Sequence, residues 1–197
     1  MRAITVASAK LPSDFGSFTI IPFESDDKTE SAVAVVFGSF GQAVEPVDTP
    51  LVRIHTQCLT GEAFSSKRCD CGDQLDFALE AIANSGCGIL IYNLQESLGI
   101  GGMNKLREYE LRDACTDTAK VNHQLGFEGD DRRYEFSSEI LRYFGVKRIR
   151  LMSNNPVELR VIERAAIAID EHLTIEIAPP SVNETTFVQS ESRSATP

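Results

Sequence analysis

Cys58, Cys69 and Cys71 are separated by ten residues and then by one, the last two inside RCDCGDQL. In a C-x-C pair both thiolates can face one metal from a tight turn, and a third can arrive from a neighbouring strand end. Three thiolates and one water make a tetrahedral zinc site with an open position. Such a site lowers the pKa of its water to about 7 and provides a nucleophile at neutral pH. The bland alternative is three buried cysteines acting as small hydrophobes, the commonest state of a free thiol. The polar neighbours Arg68, Asp70 and Asp73 argue against an inert core location. A purely structural zinc would need a fourth ligand, for which His55 is the candidate. Cys87, which leads into an apolar strand, and Cys115, which follows a helical pattern, read as core residues.

Other polar residues carry weaker signals. Glu96 follows an apolar strand at its carboxyl end, where α/β folds place ligands. Gln74 lies in the first turn of a helical pattern and could equally be an exposed side chain. Tyr109 divides evenly between helix packing and function. Asp130 and Arg132 lie in EGDDRRYEF, which by composition is a solvated charged turn. His55 and His123 read as supporting or packing residues rather than ligands. The GIGG run permits a close turn and is weak evidence for a nucleotide loop.

These residues need a frame, and the hydrophobic periodicity predicts one. ITVASAKLP, the turn PSDFG and SFTIIPF form a hairpin pattern, and SAVAVVFGSF and TPLVRIHTQC are further strands. Residues 73–84 read as a helix, with Leu75, Leu79 and Ile82 on one face and Gly86 as its stop. GILIYNL is a buried-strand pattern, followed by helical residues 104–115 and by a short helix over 137–145. KRIRLMS is a strand. Asn155, Pro156 and Glu158 supply an N-cap, a proline at the first helical position and an acid at the third. IAIDEHLTIEIAP closes the pattern with β-type segments. The expected fold is a mixed α/β single domain, with N-terminal strands and alternating strands and helices after residue 50. It spans residues 1–178, and 179–197 form a polar, flexible tail.

The 197 residues suit one domain, and their composition is that of a soluble globular protein, 42% hydrophobic and 24% charged. A formal net charge of −10 argues against a broad nucleic-acid surface. It leaves room for a small anion held by a few arginines. No apolar run is long enough to cross a bilayer, and MRAITVASAK lacks the apolar stretch of a signal peptide. The expectation is a cytoplasmic protein. Its five cysteines, an odd number, are then reduced rather than paired in a disulfide framework.

The segments RIHTQCLTGEAFSSKRCDCGDQL, LQESLGIGGMNKLREYEL, DTAKVNHQLGF and MSNNP resemble the GTP cyclohydrolase II family, the first enzymes of riboflavin biosynthesis. The likeness runs from about Lys10 to about Ile177. It implies a zinc-dependent homodimer that removes pyrophosphate from GTP and opens the imidazole ring of guanine. C8 leaves as formate, and a diaminopyrimidinone ribosyl phosphate remains. A phosphorylated substrate would bring Mg2+ with it. The family's zinc ligands match Cys58, Cys69 and Cys71. The tyrosine of its N-K-x-R-x-Y motif matches Tyr109, its general base Asp130, and the arginine that takes up the nucleotidyl group Arg132. Guanine-reading residues match Gln74 and Glu96. Arg53 matches a residue near the α-phosphate, Thr118 a substrate threonine, and Ser153 a position that is usually threonine.

The departures from the family have a direction. Its R-Q-E-G-R-x-I-G-L motif stands here as LQESLGIGG, with Leu94 and Leu98 at arginine positions, and its N-N-P-x-K motif as NNPVE, with Glu158 at the lysine. Gln57 replaces a glutamate before the first cysteine. Glu158 could be only a helix-capping acid. Taken together, though, three cationic positions on the nucleotide's anionic side are lost. Like charges a few ångströms apart repel by about 4 kcal/mol at an effective dielectric of ~20. The expected substrate is therefore a guanine nucleotide with fewer phosphates than GTP, or a modified purine of a specialised pathway. The competing function is a catalytically impaired zinc-binding homologue that binds a nucleotide or a protein.

Overall fold

The computed structural model describes residues 1–38, 49–95, 101–114 and 133–177. The strands are β1 (Ala3–Ile4), β2 (Ala9–Ser13), β3 (Gly16–Ser25), β4 (Ser31–Phe37), β5 (Leu51–Thr56), β6 (Gly88–Asn93), β7 (Arg148–Met152) and β8 (Ala168–Leu173). The helices among the described residues are α1 (Leu59–Glu62), α2 (Cys71–Asn84), α3 (Gly102–Ala114), α4 (Glu135–Tyr143) and α5 (Pro156–Arg164).

All eight strands join one sheet in the order β1-β3-β4-β6-β5-β7-β8, with β2 also paired to β3. The N-terminal part is antiparallel, as hairpins require, and it meets the rest where β4 runs antiparallel to β6. From β6 through β5 and β7 to β8 the pairing is parallel, and helices make the crossovers. The expected mixed α/β domain is therefore present.

Side chains alternate across the strands and feed two cores. Val52, Ile54, Ile89 and Ile91 pack on one face with Phe136, Ile140 and Ile162 of α4 and α5. Leu51 and Leu90 point the other way, to Ala78 and Ile82 of α2. Leu75 and Leu79 pack there as well, as their helical spacing predicts. Burial on both faces explains the nearly unbroken apolar run of β6. Cys87 is buried, in agreement with its reading as a core residue.

The local signals hold with shifted ends. α2 starts at Cys71, two residues before the expected start, so the last cysteine is itself helical. Asn155 caps α5 through its side-chain oxygen, which accepts the Val157 N–H at 2.8 Å, with Pro156 next. The expected first strand divides into β1 and β2, and Val6 between them is 91% exposed. Among the described residues of the closing β-type run only Ala168–Leu173 joins the ladder, and Ile175 reaches the core from outside it. The one-turn helix α1 has no apolar period long enough to be read from sequence.

Candidate metal centre and active site

The carboxyl ends of the parallel strands β5, β6 and β7 face one edge of the sheet, the place where open α/β sheets bind ligands. The chain leaves β5 at Thr56, and Cys58 stands as the N-cap of α1. It returns through Cys69 to Cys71, the first residue of α2. Cys58 Sγ and Cys69 Sγ are 3.6 Å apart, and all three sulfurs lie within 4.8 Å of one another. A tetrahedral zinc with bonds of about 2.3 Å places its sulfurs roughly 3.8 Å apart, so the spacing fits. The cradle is kept open by Gly61. A Cβ there would lie 2.7 Å from Cys69 Sγ and 3.3 Å from Cys58 Sγ. Three soft thiolates are a donor set suited to zinc. Hydrogen bonds from Cys69 and Cys71 hold the Cys58 thiol well below its ordinary range, and the shared contact with Cys58 pushes Cys69 and Cys71 up. A bound cation would instead keep all three ionised.

Glu62 fixes the first thiol from behind. Its Oε1 accepts the Cys58 N–H at 2.8 Å and meets His55 Nε2 at 2.9 Å, and its other oxygen accepts from the Tyr92 hydroxyl. His55 also stacks on Tyr92, with ring centroids 5.7 Å apart. His55 is thus committed to Glu62 and lies outside the thiol group, as a supporting residue rather than a fourth ligand. On the open side, Thr60 Oγ1 lies 3.7 Å from Cys58 Sγ and 3.1 Å from the Tyr109 hydroxyl. The Arg68 guanidinium covers the Tyr109 ring at 4.7 Å and is paired with Asp113 at 2.7 Å. Lys105 Nζ donates to Cys58 Sγ at 3.0 Å. Burial works against this ammonium, but the bond to Cys58 together with the charges of Cys58, Tyr109 and Cys71 outweighs it and raises the lysine's pKa.

A second corner forms between β5, α2 and β7. Arg53 is 8% exposed; its Nη1 donates to the Met152 carbonyl at 3.2 Å and its Nη2 to Gln74 Oε1 at 2.9 Å. Gln74 Nε2 in turn donates to Asp70 Oδ2 at 2.9 Å. One lone pair and one N–H of that amide remain for another partner. Beside Arg53, at the end of β7, Ser153 Oγ donates to Glu158 Oε2 at 2.6 Å. Ser153 is 0% exposed and Glu158 3%, so the acid of the α5 first turn is not a solvated capping residue.

The family model for GTP cyclohydrolase II matches residues 4–174. The chain is 42% identical over 178 residues to a GTP cyclohydrolase-2 of Haemophilus influenzae, covering 90% of this chain and 81% of that one. It is 43% identical over 179 residues to a GTP cyclohydrolase-2 of Shewanella baltica, covering 91% and 86%. The chain belongs to the GTP cyclohydrolase II family. It is accordingly a hydrolase of the cyclohydrolase type. Among solved structures it is similar to a two-domain 3,4-dihydroxy-2-butanone 4-phosphate synthase from A. baumannii, with a TM-score of 0.48 and 15% identity over 90% of this chain and 41% of that one, a likeness too loose to carry an argument.

The family residues read from the sequence divide into three sets. Cys58, Cys69, Cys71 and Tyr109 come together around Thr60. Arg53, Gln74 and Ser153 gather at the β5–β7 corner. Glu96, Thr118, Asp130 and Arg132 lie outside the described residues, as do Leu98, Cys115, His123 and the tail 179–197. Leu94 is 47% exposed just past β6. Among the described residues no helix is long and apolar enough to cross a membrane. Sequence reasoning missed Thr60, Gly61, Glu62 and Lys105. The first three follow Cys58 directly in LTGE, and Lys105 belongs to the same motif as Tyr109. Their proximity in sequence to the cysteines and to Tyr109 was the available signal.

Proposed function

We propose that this chain hydrolyses the imidazole ring of a guanine nucleotide and releases C8 as formate, with zinc held by Cys58, Cys69 and Cys71. The observation that carries the reading is the convergence of the three thiols with the Tyr109 hydroxyl, bridged by Thr60. Zinc in this cradle supplies Lewis acidity and a nucleophile at neutral pH. Removing C8 consumes two waters and leaves two ring nitrogens as amines, so protons must be delivered beside the cradle. Tyr109 donates a proton to a departing nitrogen, and Asp130 acts as the base. Glu96 accepts from the guanine N1–H and 2-amino group, and Gln74 uses its remaining N–H and lone pair. A pocket that pairs these groups rejects bases that leave them unpaired. Arg53 serves the α-phosphate, Thr118 and Ser153 serve as further substrate-binding residues, and Arg132 takes up the nucleotidyl group. The working form is a cytoplasmic homodimer, and Mg2+ accompanies a phosphorylated substrate.

The substrate carries fewer phosphates than GTP, or is a modified purine. Support comes from Glu158, a buried acid beside Ser153 where the family has a lysine, and from Leu94, a leucine where the family has an arginine. An anionic side chain at the β7 corner repels a polyphosphate and tolerates a single phosphate on Arg53. Formate release from GTP, GDP, GMP and guanosine by the zinc-loaded protein tests both parts. Release is expected, fastest from GMP or guanosine. GTP as clearly the best substrate overturns the phosphate reading, and no release from any guanine compound favours the zinc-binding homologue without catalysis.

A further inference from the structure

We infer that Lys105 is a positioning residue of the metal centre, whose ammonium compensates the charge of a three-thiolate zinc and restrains how strongly Cys58 donates to the metal. This rests on the zinc reading above. Three thiolates and one Zn2+ sum to a charge of −1, which weakens the ion as a Lewis acid. An N–H···S bond to a cation draws density from the sulfur and offsets that charge, as partners of metal ligands do elsewhere.

The geometry is specific. Lys105 Nζ lies 3.0 Å from Cys58 Sγ. Among the described residues Cys58 is the one thiol it bonds, so the ammonium flanks the cradle rather than filling its centre. The other nearby groups do different work. Arg68 is already paired with Asp113, at 2.7 Å. Glu62 binds the Cys58 backbone N–H and leaves the sulfur alone. Lys105 and Tyr109 are four residues apart on α3, hence on one face, and Nζ lies 5.9 Å from the Tyr109 ring centre. One helix therefore presents both the hydroxyl that meets Thr60 and the cation that meets Cys58. Any tilt of α3 would change metal electronics and proton delivery together.

The test uses the full chain loaded with Co2+, and reads the thiolate-to-cobalt charge-transfer band and zinc affinity by chelator competition. Lys105→Gln and Lys105→Met both remove the charge, so the comparison survives if one of them fails to fold. Lys105→Arg keeps it. In the neutral variants the band is expected to move to lower energy and zinc to bind roughly 10–100-fold more weakly. Lys105→Arg is expected to keep the wild-type band, with affinity within a few-fold. Helix packing alone would not move the band. A wild-type band and affinity in a folded neutral variant overturns the role of Lys105 and leaves the metal centre standing. A wild-type chain that takes up no cobalt on its thiols overturns the metal centre and this inference with it.

Discussion

Two corners of the same sheet edge meet in this molecule, and they treat charge in opposite ways. At the thiol corner, between β5, α2 and α3, three cysteine sulfurs are gathered in a space held open by Gly61, with Lys105 against one of them. At the β7 corner, Arg53 is held by a carbonyl and an amide, and a carboxylate is buried against Ser153. The first corner has the donors and the space a cation needs. The second buries an acidic side chain, Glu158, at the position where the resemblance implies a lysine. A polar pair buried this deeply is not a neutral surface change, because a charge removed from water must be compensated. On the function proposed above, the difference would separate the groups that activate water from those that meet the substrate's anionic side, so that the two could change independently.

The largest effect is expected at the thiol corner. Cys58→Ser removes one of three ligands, so metal analysis should find well under one zinc per chain and formate release should disappear. If Cys58→Ser keeps full zinc, the thiols are not the metal centre. At the other corner, Glu158→Lys restores the family charge. The ratio of kcat/KM for GTP over GMP should rise at least about tenfold, since one unit charge at ~4 Å is worth about 4 kcal/mol at an effective dielectric of ~20. Glu158→Gln should give a smaller rise in the same direction. A ratio unchanged in both variants would detach the β7 corner from phosphate recognition.

Gly61→Ala adds a methyl 2.7 Å from Cys69 Sγ. Thermal denaturation should show a loss of about 1–3 kcal/mol, the cost of overpacking, together with weaker zinc binding. Asn155→Ala removes the cap of α5, which carries Glu158. A loss of about 1 kcal/mol is expected, with zinc content unchanged, because the cap supports only the β7 corner.

The smallest effect lies away from both corners, in the β3–β4 turn. Hydrogen bonds from Ser25 and Thr29 lower the Asp27 carboxyl from 3.8 to about 2. A depressed folded pKa gives stability that is present above pH 3.8 and lost as the pH falls towards 2. Asp27→Asn should flatten that acid limb in denaturation curves measured against pH, without moving zinc content or substrate preference.

Much of the scaffold was legible because its signals are local. The run GILIYN, the Asn155-Pro156 start and the Leu75-Leu79-Ile82 face each encode an element within a few residues. The donor types and spacing of the cysteines named a candidate metal site, and the longer motifs named the family. Helix α1 escaped because one turn offers no period, and α2 starts earlier than expected because Asp70 and Asp73 are both residue types that open helices and Asp70 holds the N-cap. For Glu158 the local pattern offers only an acid in the first turn of a helix. Its burial depends on how α5 lies against the sheet, which the local pattern does not contain.

The sequence by itself determined a candidate metal-donor set, the family and the alternation of strands and helices, since each depends on residue types at short separations. The tertiary structure decided which side chains stand behind those donors. Lys105 reaches Cys58 across 47 positions, Tyr109 reaches Thr60 across 49, and Arg53 reaches the Met152 carbonyl across 99. Those meetings follow from the sheet order that sets β5 between β6 and β7 and from where α3 comes to rest. Strand order is fixed by the joint burial of two cores, a property of the whole chain that no single segment carries.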